Sequence, residues 1–435
     1  MIDATGAVIG FVLMLAMMLL GLPIAAALFL TAALGGLLYL GLPTLMVFGN
    51  NTWSVLNDFV LTSIPLFILL GEILLRSGIS DRMYNSLGDW VGNWPGGLFH
   101  TNIASSGLFA AVSGSSVATA ATIGTVALPA LRERRYDERM SLGSIAAGAT
   151  LGILIPPSIN MIIYGSMSNT SIGQLFMAGV VPGLVMLGLF MAWIVIATKV
   201  KPALAGEPAA ALPWGQKLLR LAHLAPPVFI FVIVMGSIYF GWATPTEAAA
   251  LGVLAALLMA AVVGRLTITM LHGAFLSTAK LTAMILLILV AAQFLNFIIG
   301  IMGVPQALTG LVASIASNQL EVILLLVLFY LVLGCFLETL SMMVASIPVV
   351  MPIVLHFDID PVWFGVFLVV MMEVALITPP IGMNLYVVQG VRGEGQLVDV
   401  IIGALPFVII MLATVALLIA VPGLALWLPE RMFGQ

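Results

Sequence analysis

Ten stretches of this chain stay apolar for long enough to cross about 30 Å of hydrocarbon. They lie near 5–20, 24–41, 57–76, 141–165, 172–198, 220–240, 245–264, 281–301, 363–390 and 399–428. A soluble surface cannot hide them, because only 7% of the residues are charged, against roughly 25% in an ordinary soluble domain. The chain therefore reads as an all-α polytopic membrane protein. Its net charge of −4 is scattered and offers nucleic acid no basic face. Cys335 is the one cysteine, which excludes a disulfide framework and a thiolate metal site. Met1-Ile2-Asp3 carries no basic leader region, so the first apolar run is read as a span and not a cleaved signal peptide.

Two further apolar stretches, 97–131 and 320–355, are interrupted midway. The first break reads Ala-Val-Ser-Gly-Ser-Ser from Ala111 to Ser116, and the second Glu338-Thr339-Leu340-Ser341. Such interruptions suit re-entrant hairpins, in which two half-helices meet at a polar tip inside the protein. If each hairpin enters and leaves on one side, ten crossings from an outside N-terminus define one topology. Of the 14 Lys and Arg residues it leaves only Arg431 outside, as the positive-inside rule requires.

The two halves also repeat. Pro156-Pro157 and Pro379-Pro380 lie 223 residues apart, Pro129 and Pro352 the same, and Pro23 and Pro245 lie 222 apart. Each half carries an odd number of crossings, so the second is upside down relative to the first, the inverted-topology arrangement of many secondary transporters. The expected organisation is a first repeat over 1–198 with hairpin 97–131, a cytoplasmic linker over 199–219, and a second repeat over 220–435 with hairpin 320–355. Three less apolar stretches, 79–92, 266–279 and 305–318, separate spans; the first, with Asp81, Arg82, Asp89 and Trp90, suits a helix lying in the interface.

Candidate chemistry concentrates at the tips and the Pro-Pro pairs. No Gly-rich loop ending in Lys-Ser or Lys-Thr is present, so ATP does not power this chain directly. The four histidines are dispersed, and no Ser/His/Asp set falls on active-site turns, so an enzyme is not expected. In His356-Phe-Asp358-Ile-Asp360-Pro361, Asp360 is read as the cap of a helix starting at Pro361, not as a metal ligand. Glu247 is likewise read as capping the helix begun by Thr244-Pro245. The tip Ser113-Gly114-Ser115-Ser116 gathers hydroxyls, adaptable carbonyls and a half-helix N-terminus, which suit a small hard cation or an anion. The Pro-Pro pairs remove backbone donors at mid-span and free carbonyl oxygens. Candidate Na⁺ ligands are Ser113, Gly114, Ser115, Ser116 and Pro156 in the first half. Their counterparts in the second are Glu338, Thr339, Ser341, Thr378, Pro379, Gly382 and Met383. Ser116, Thr119, Ser158, Asn160, Thr378 and Asn384 are candidate substrate contacts. Glu373, near mid-span, is either a proton or cation site or a packed hydrogen-bonding residue. No Lys or Arg lies near the tips, so an anionic substrate would meet helix N-termini, hydroxyls and bound cations.

Four segments carry a specific resemblance: Ser-Gly-Ser-Ser-Val-Ala-Thr-Ala-Ala-Thr-Ile-Gly (113–124), Gly-Ile-Leu-Ile-Pro-Pro-Ser-Ile (152–159), Gly-Trp-Ala-Thr-Pro-Thr-Glu-Ala-Ala-Ala (241–250) and Leu-Ile-Thr-Pro-Pro-Ile-Gly-Met-Asn-Leu (376–385). Together with Asp358-Ile-Asp-Pro-Val-Trp-Phe-Gly365 they resemble the large membrane subunit of tripartite ATP-independent periplasmic (TRAP) transporters, the DctM-like family, over nearly the whole chain. Met371 and Ala375 stand where that pattern has Asn and Gly, which leaves backbone carbonyls as the better ligands in this half. The resemblance implies an elevator-type, sodium-coupled importer of small organic anions, carboxylates or sialic-acid-like compounds, in a bacterial inner membrane. It also implies a periplasmic solute-binding protein that delivers substrate and a separate small four-span membrane subunit. The alternatives are a stand-alone divalent-anion symporter driven by sodium or protons, whose Ser-Asn-Thr tips are absent, and a passive channel, for which no continuous polar stripe is seen.

Overall fold

The computed structural model describes residues 4–207 and 212–434, so Met1-Ile2-Asp3 and part of the expected linker, 208–211, lie outside the described residues. Within them the chain is nearly all helix. The first helices are α1 (Ala4–Leu19), α2 (Ile24–Tyr39), α3 (Pro43–Leu56), α4 (Ser63–Arg76) and α5 (Ile79–Val91). There follow α6 (Leu98–Ser113), α7 (Ser116–Glu133), α8 (Glu138–Leu154), α9 (Ile159–Ser168) and α10 (Ile172–Val200). After a short α11 (Trp214–Arg220) come α12 (Ala225–Tyr239), α13 (Pro245–Val262), α14 (Ile268–Ile301) and α15 (Val304–Ile315). The last are α16 (Gln319–Gly334), α17 (Thr339–His356), α18 (Pro361–Leu376), α19 (Met383–Arg392), α20 (Leu397–Ala420) and α21 (Gly423–Phe433).

Local chemistry sets many of these boundaries. Thr244 and Glu247 close a capping box around Pro245 at the start of α13. The Asp360 carboxylate accepts the Val362 and Trp363 amides at 2.7 and 2.9 Å, and Pro361 takes the first helical position of α18. Both acids thus serve as the caps that their sequence context indicated. Asp137 starts α8 in the same way, accepting the Met140 amide at 2.8 Å.

Several expected elements shift. The stretch 266–279, expected to separate two spans, instead continues into the following span as the 34-residue α14. Residues 43–56, unassigned by periodicity, form α3, held to α2 and α14 by a cluster of Phe29, Phe48 and Phe294. The last expected span divides at Val421-Pro422 into α20 and α21, because proline cannot donate to the continuing ladder. Six helices are by themselves long and apolar enough to span a membrane, and three bent pairs raise that number to nine among the described residues. Helices α1 and α2, at 16 residues each, rise only about 24 Å.

Two helices form the centre. Every residue of α8 from Met140 to Leu154 is buried, and so is every residue of α18 from Val362 to Leu376. Around them pack α6, α7, α10, α16, α17 and α20. In contrast α2 and α13 turn Leu30, Leu34, Leu38, Leu254 and Leu258 outward, as helices facing lipid do. The two protein-enclosed helices are the ones that end at a Pro-Pro pair, where non-helical backbone needs protein around it.

Candidate functional site

The two interrupted stretches are helix–break–helix units. In the first, α6 continues through Ser113, and only Gly114 and Ser115 separate it from α7, a shorter break than Ala111–Ser116. Gly114 ends α6 with φ +60°, a conformation that glycine adopts without steric cost. Ser115 caps α7, its hydroxyl accepting the Ala118 amide at 3.3 Å. In the second unit the break is 335–338, and Thr339 and Ser341 fall in the first turn of α17.

Each tip meets the break that follows it. A methyl group on Gly114 would stand 2.8 Å from the Pro157 carbonyl oxygen, and one on Gly152 of α8 2.8 Å from the Ser115 carbonyl. The glycines at 148 and 152 let α6 and the tip reach α8. Of the first Pro-Pro pair it is Pro157, not Pro156, whose carbonyl faces Gly114. In the second half, Glu338 and Thr339 share one crevice with Ala375, Leu376, Gly382 and Met383. Thr378 and Pro379 belong to the same break, which spans Ile377 to Gly382.

Hydrogen bonds show which oxygens are already engaged. The Thr119 hydroxyl donates to the Ser115 carbonyl at 2.7 Å and lies 3.1 Å from the Ser113 hydroxyl. The Ser116 hydroxyl donates to the Ala149 carbonyl of α8 at 2.9 Å. Glu338 caps α17: its carboxylate accepts the Leu340 and Ser341 amides and the Ser341 hydroxyl at 3.0, 2.7 and 2.7 Å. The Thr378 hydroxyl donates to the Val374 carbonyl at 2.6 Å, and Ser158 caps α9 through the Met161 amide at 3.4 Å. Side-chain oxygens therefore mostly fix the tips, and the backbone carbonyls and helix N-termini around them are what remains to meet a ligand.

A side chain of the second half reaches the first tip. Asn384, in the first turn of α19, donates from Nδ2 to the Ser116 hydroxyl at 2.7 Å and to the Ala146 carbonyl at 3.2 Å. It is fully buried, and its Oδ1 has no partner among the described residues. Asn160 Nδ2 and both oxygens of the fully buried Glu373 are likewise without partners there. Ser116 and Asn384, 268 residues apart, thus lie together with two backbone carbonyls of α8. Ala146 and Ala149 carry no side-chain signal and escape sequence reasoning; only the small-residue run Ala-Ala-Gly-Ala (146–149) marks a place of close approach.

Comparison with known proteins follows the same outline. A family model described as the tripartite ATP-independent periplasmic transporter, DctM component, matches residues 11–424. The C4-dicarboxylate TRAP transporter large permease protein of Rhodobacter capsulatus is 35% identical, over 98% of this chain and 99% of that protein. The sialic acid TRAP transporter large permease protein of Vibrio cholerae is 34% identical, over 87% of this chain and 88% of its own length. Among solved structures, the YdaH transporter of Alcanivorax borkumensis superposes with a TM-score of 0.60 at 15% identity, covering 90% of this chain and 88% of that one, a likeness of fold alone.

Proposed function

Because the chain belongs to the DctM family of TRAP transporter large permeases, we propose that it is the sodium-coupled translocating subunit of an importer of small organic carboxylates. The observation that carries this reading is the bond between Asn384 and Ser116. It couples the tip of one half to the broken helix of the other, so one solute can touch both. Hard monovalent cations favour converging oxygens, and each tip lies against a Pro-Pro break that supplies them. Bound Na⁺ would also offset substrate charge that no Lys or Arg near the tips can balance.

The matching order of hairpin, broken helix and long helix (α6 to α10, then α16 to α20) supports two inverted repeats, 1–198 and 220–435. In this reading both hairpins travel with the broken helices as one block against a scaffold built on α2, α13 and α14, in an elevator movement. The chain sits in a bacterial inner membrane with its N-terminus periplasmic. A periplasmic solute-binding protein hands over the substrate, and a small four-span subunit accompanies the scaffold. The relatives named for C4-dicarboxylates and sialic acid share the carboxylate and support that class of cargo.

Uptake into proteoliposomes under either an imposed Na⁺ gradient or an imposed pH gradient tests the coupling ion. The Na⁺ gradient alone should drive uptake. Ser115→Ala, Ser116→Ala and Thr378→Ala should each raise the Na⁺ concentration that gives half the maximal rate. Buried, unpartnered Glu373 favours a second reading, proton coupling. If the pH gradient alone suffices and only Glu373→Gln abolishes uptake, sodium is the wrong ion. Vesicles lacking the binding protein should transport little; robust uptake without it would point to a stand-alone symporter.

A further inference from the structure

A second polar cavity lies away from the tips, and no motif in the sequence points to it. Its volume is about 150 Å³, part of it open to the surface, smaller than the roughly 300–1,000 Å³ of drug-sized ligand pockets and suited to a small solute. One wall is α3 with the turn after it: Asn51, Ser54, Val55 and Asp58 recur at the spacing of a single helical face. A second wall is α14, through Leu289 and Gln293, and the third is the far end of α9, through Ser166. Ser166 stands about 12 Å along α9 from the Ser158 cap.

The polar lining is unspent. Asn51, Ser54 and Gln293 face this space, and none of their side chains has a hydrogen-bond partner among the described residues. Placing Asn and Gln on membrane helices without partners is costly unless they face water or a ligand. Asp58 is the one charged group in the lining. Its Oδ1 accepts the Val60 amide at 2.8 Å and its Oδ2 the Ser166 hydroxyl at 3.2 Å. These bonds aim the carboxylate and still leave lone pairs on both oxygens. No Lys or Arg lines the cavity, so its one full charge is negative and low-dielectric walls focus that field.

We propose that this cavity is an outer recognition site for a small zwitterionic solute, whose ammonium group pairs with Asp58 while Asn51, Ser54 and Gln293 hydrogen-bond the remainder. The proposal rests on the transporter reading and narrows its cargo, since a dicarboxylate would be repelled here. A bare metal ion would leave most of the space unfilled. In the proposed topology the 57–62 turn lies at the periplasmic end. The Asp58–Ser166 bond is then a contact between the static wall and the broken-helix block, made where an incoming solute would first meet both.

The cavity's charge preference can be measured whatever the transported solute is. Ser54→Cys, or Asn51→Cys as a second site should the first fail to fold, is made in a Cys335→Ala background in nanodiscs. Labelling rates are measured for a cationic 2-aminoethyl and an anionic 2-sulfonatoethyl methanethiosulfonate, each normalised to its rate with a free thiol. The cationic reagent should react about 10-fold or more faster, and Asp58→Asn should bring the two rates within about 2-fold. γ-Aminobutyrate should slow labelling where succinate, identical but for one terminal group, does not. Equal normalised rates with Asp58 in place, absence of protection by γ-aminobutyrate, or equal protection by succinate would each overturn the proposal. These measurements need no gradient. A site that passes them in a protein showing no ion-driven uptake of any solute would sink the transporter reading and leave the site standing.

Discussion

At Gly114 the backbone takes a positive φ and lies within van der Waals reach of the Pro157 carbonyl, so the side chain must be absent twice over. Gly152 meets the tip from the other side, against the Ser115 carbonyl. Neither neighbour is the free end of a flexible side chain, so a methyl group cannot be accommodated by a rotamer change. Gly114→Ala and Gly152→Ala should therefore reach the membrane but displace the tip. Na⁺-driven uptake should fall at least ~10-fold, with the half-saturating Na⁺ concentration raised; a loss of about 1.4 kcal/mol in ion binding suffices for that. Unchanged Na⁺ dependence in both would remove the first tip from the ion site. Asn384 gives a sharper test because its two bonds both run from Nδ2. Asn384→Asp keeps the shape but sets a carboxylate oxygen against the Ala146 carbonyl, and a buried polar clash of this kind costs on the order of 1–3 kcal/mol. Initial uptake rates should drop more for Asn384→Asp than for Asn384→Ser, which keeps a donor. The reverse order would mean that the bond to Ser116 is incidental.

Among the helices, α8 and α20 approach more closely than side chains permit. A Cβ on Gly143 would overlap the Gly403 carbonyl, and one on Gly403 would overlap the Arg139 carbonyl. Backbones touch there, the type of contact that small residues allow where no hydrophobic effect drives helices together. Beside this crossing, Arg392 at the end of α19 pairs with Glu138 of α8 at 2.9 Å and Asp399 of α20 at 3.3 Å. Its side chain is only 5% exposed, and Arg139 adds a 3.0 Å bond to Asp399. Three helices from opposite ends of the sequence are thus clamped at one level. Gly143→Ala should destabilise by roughly 1–3 kcal/mol through overpacking, read as a lower melting temperature in detergent. Arg392→Met should lower it too, by an amount that shrinks in high salt because the acids are partly exposed. A Gly143→Ala protein with the parent's melting temperature would show that the crossing has room to relax. The sequence indicated the hairpins, the Pro-Pro breaks and the caps at Glu247 and Asp360, because each rests on chemistry within a few residues. It did not indicate the Gly143–Gly403 crossing or the Arg392 clamp, whose partners are some 260 residues apart and leave no local trace. The same holds for Asn384: its position after the break was legible, but its partner Ser116 was not.

For the molecule as a whole, the decisive physical fact is the asymmetric placement of a few charges. In the proposed topology almost all basic residues, most of them within helices or at helix ends, fall on one side, and moving them across would cost several kcal/mol each at the bilayer centre. The long apolar α14 shows where periodicity was insufficient: the less apolar stretch 266–279 was expected to separate spans, yet the ladder continues unbroken because no Pro or Gly pair interrupts it. Small polar residues do not end a membrane helix whose backbone stays satisfied. The inverted arrangement makes one prediction about two exposed positions in equivalent places, each near the exit of a hairpin: Glu133 at the end of α7 and His356 at the end of α17. If the halves are inverted, these hairpins exit on opposite faces. Single cysteines at Glu133 and His356 in a Cys335→Ala background, in right-side-out spheroplasts, are treated with a membrane-impermeant maleimide. His356→Cys should label in intact cells, whereas Glu133→Cys should label only after permeabilisation. Labelling of both from outside would place the two hairpins on one face, and the inverted repeat would have to be abandoned along with the elevator built on it.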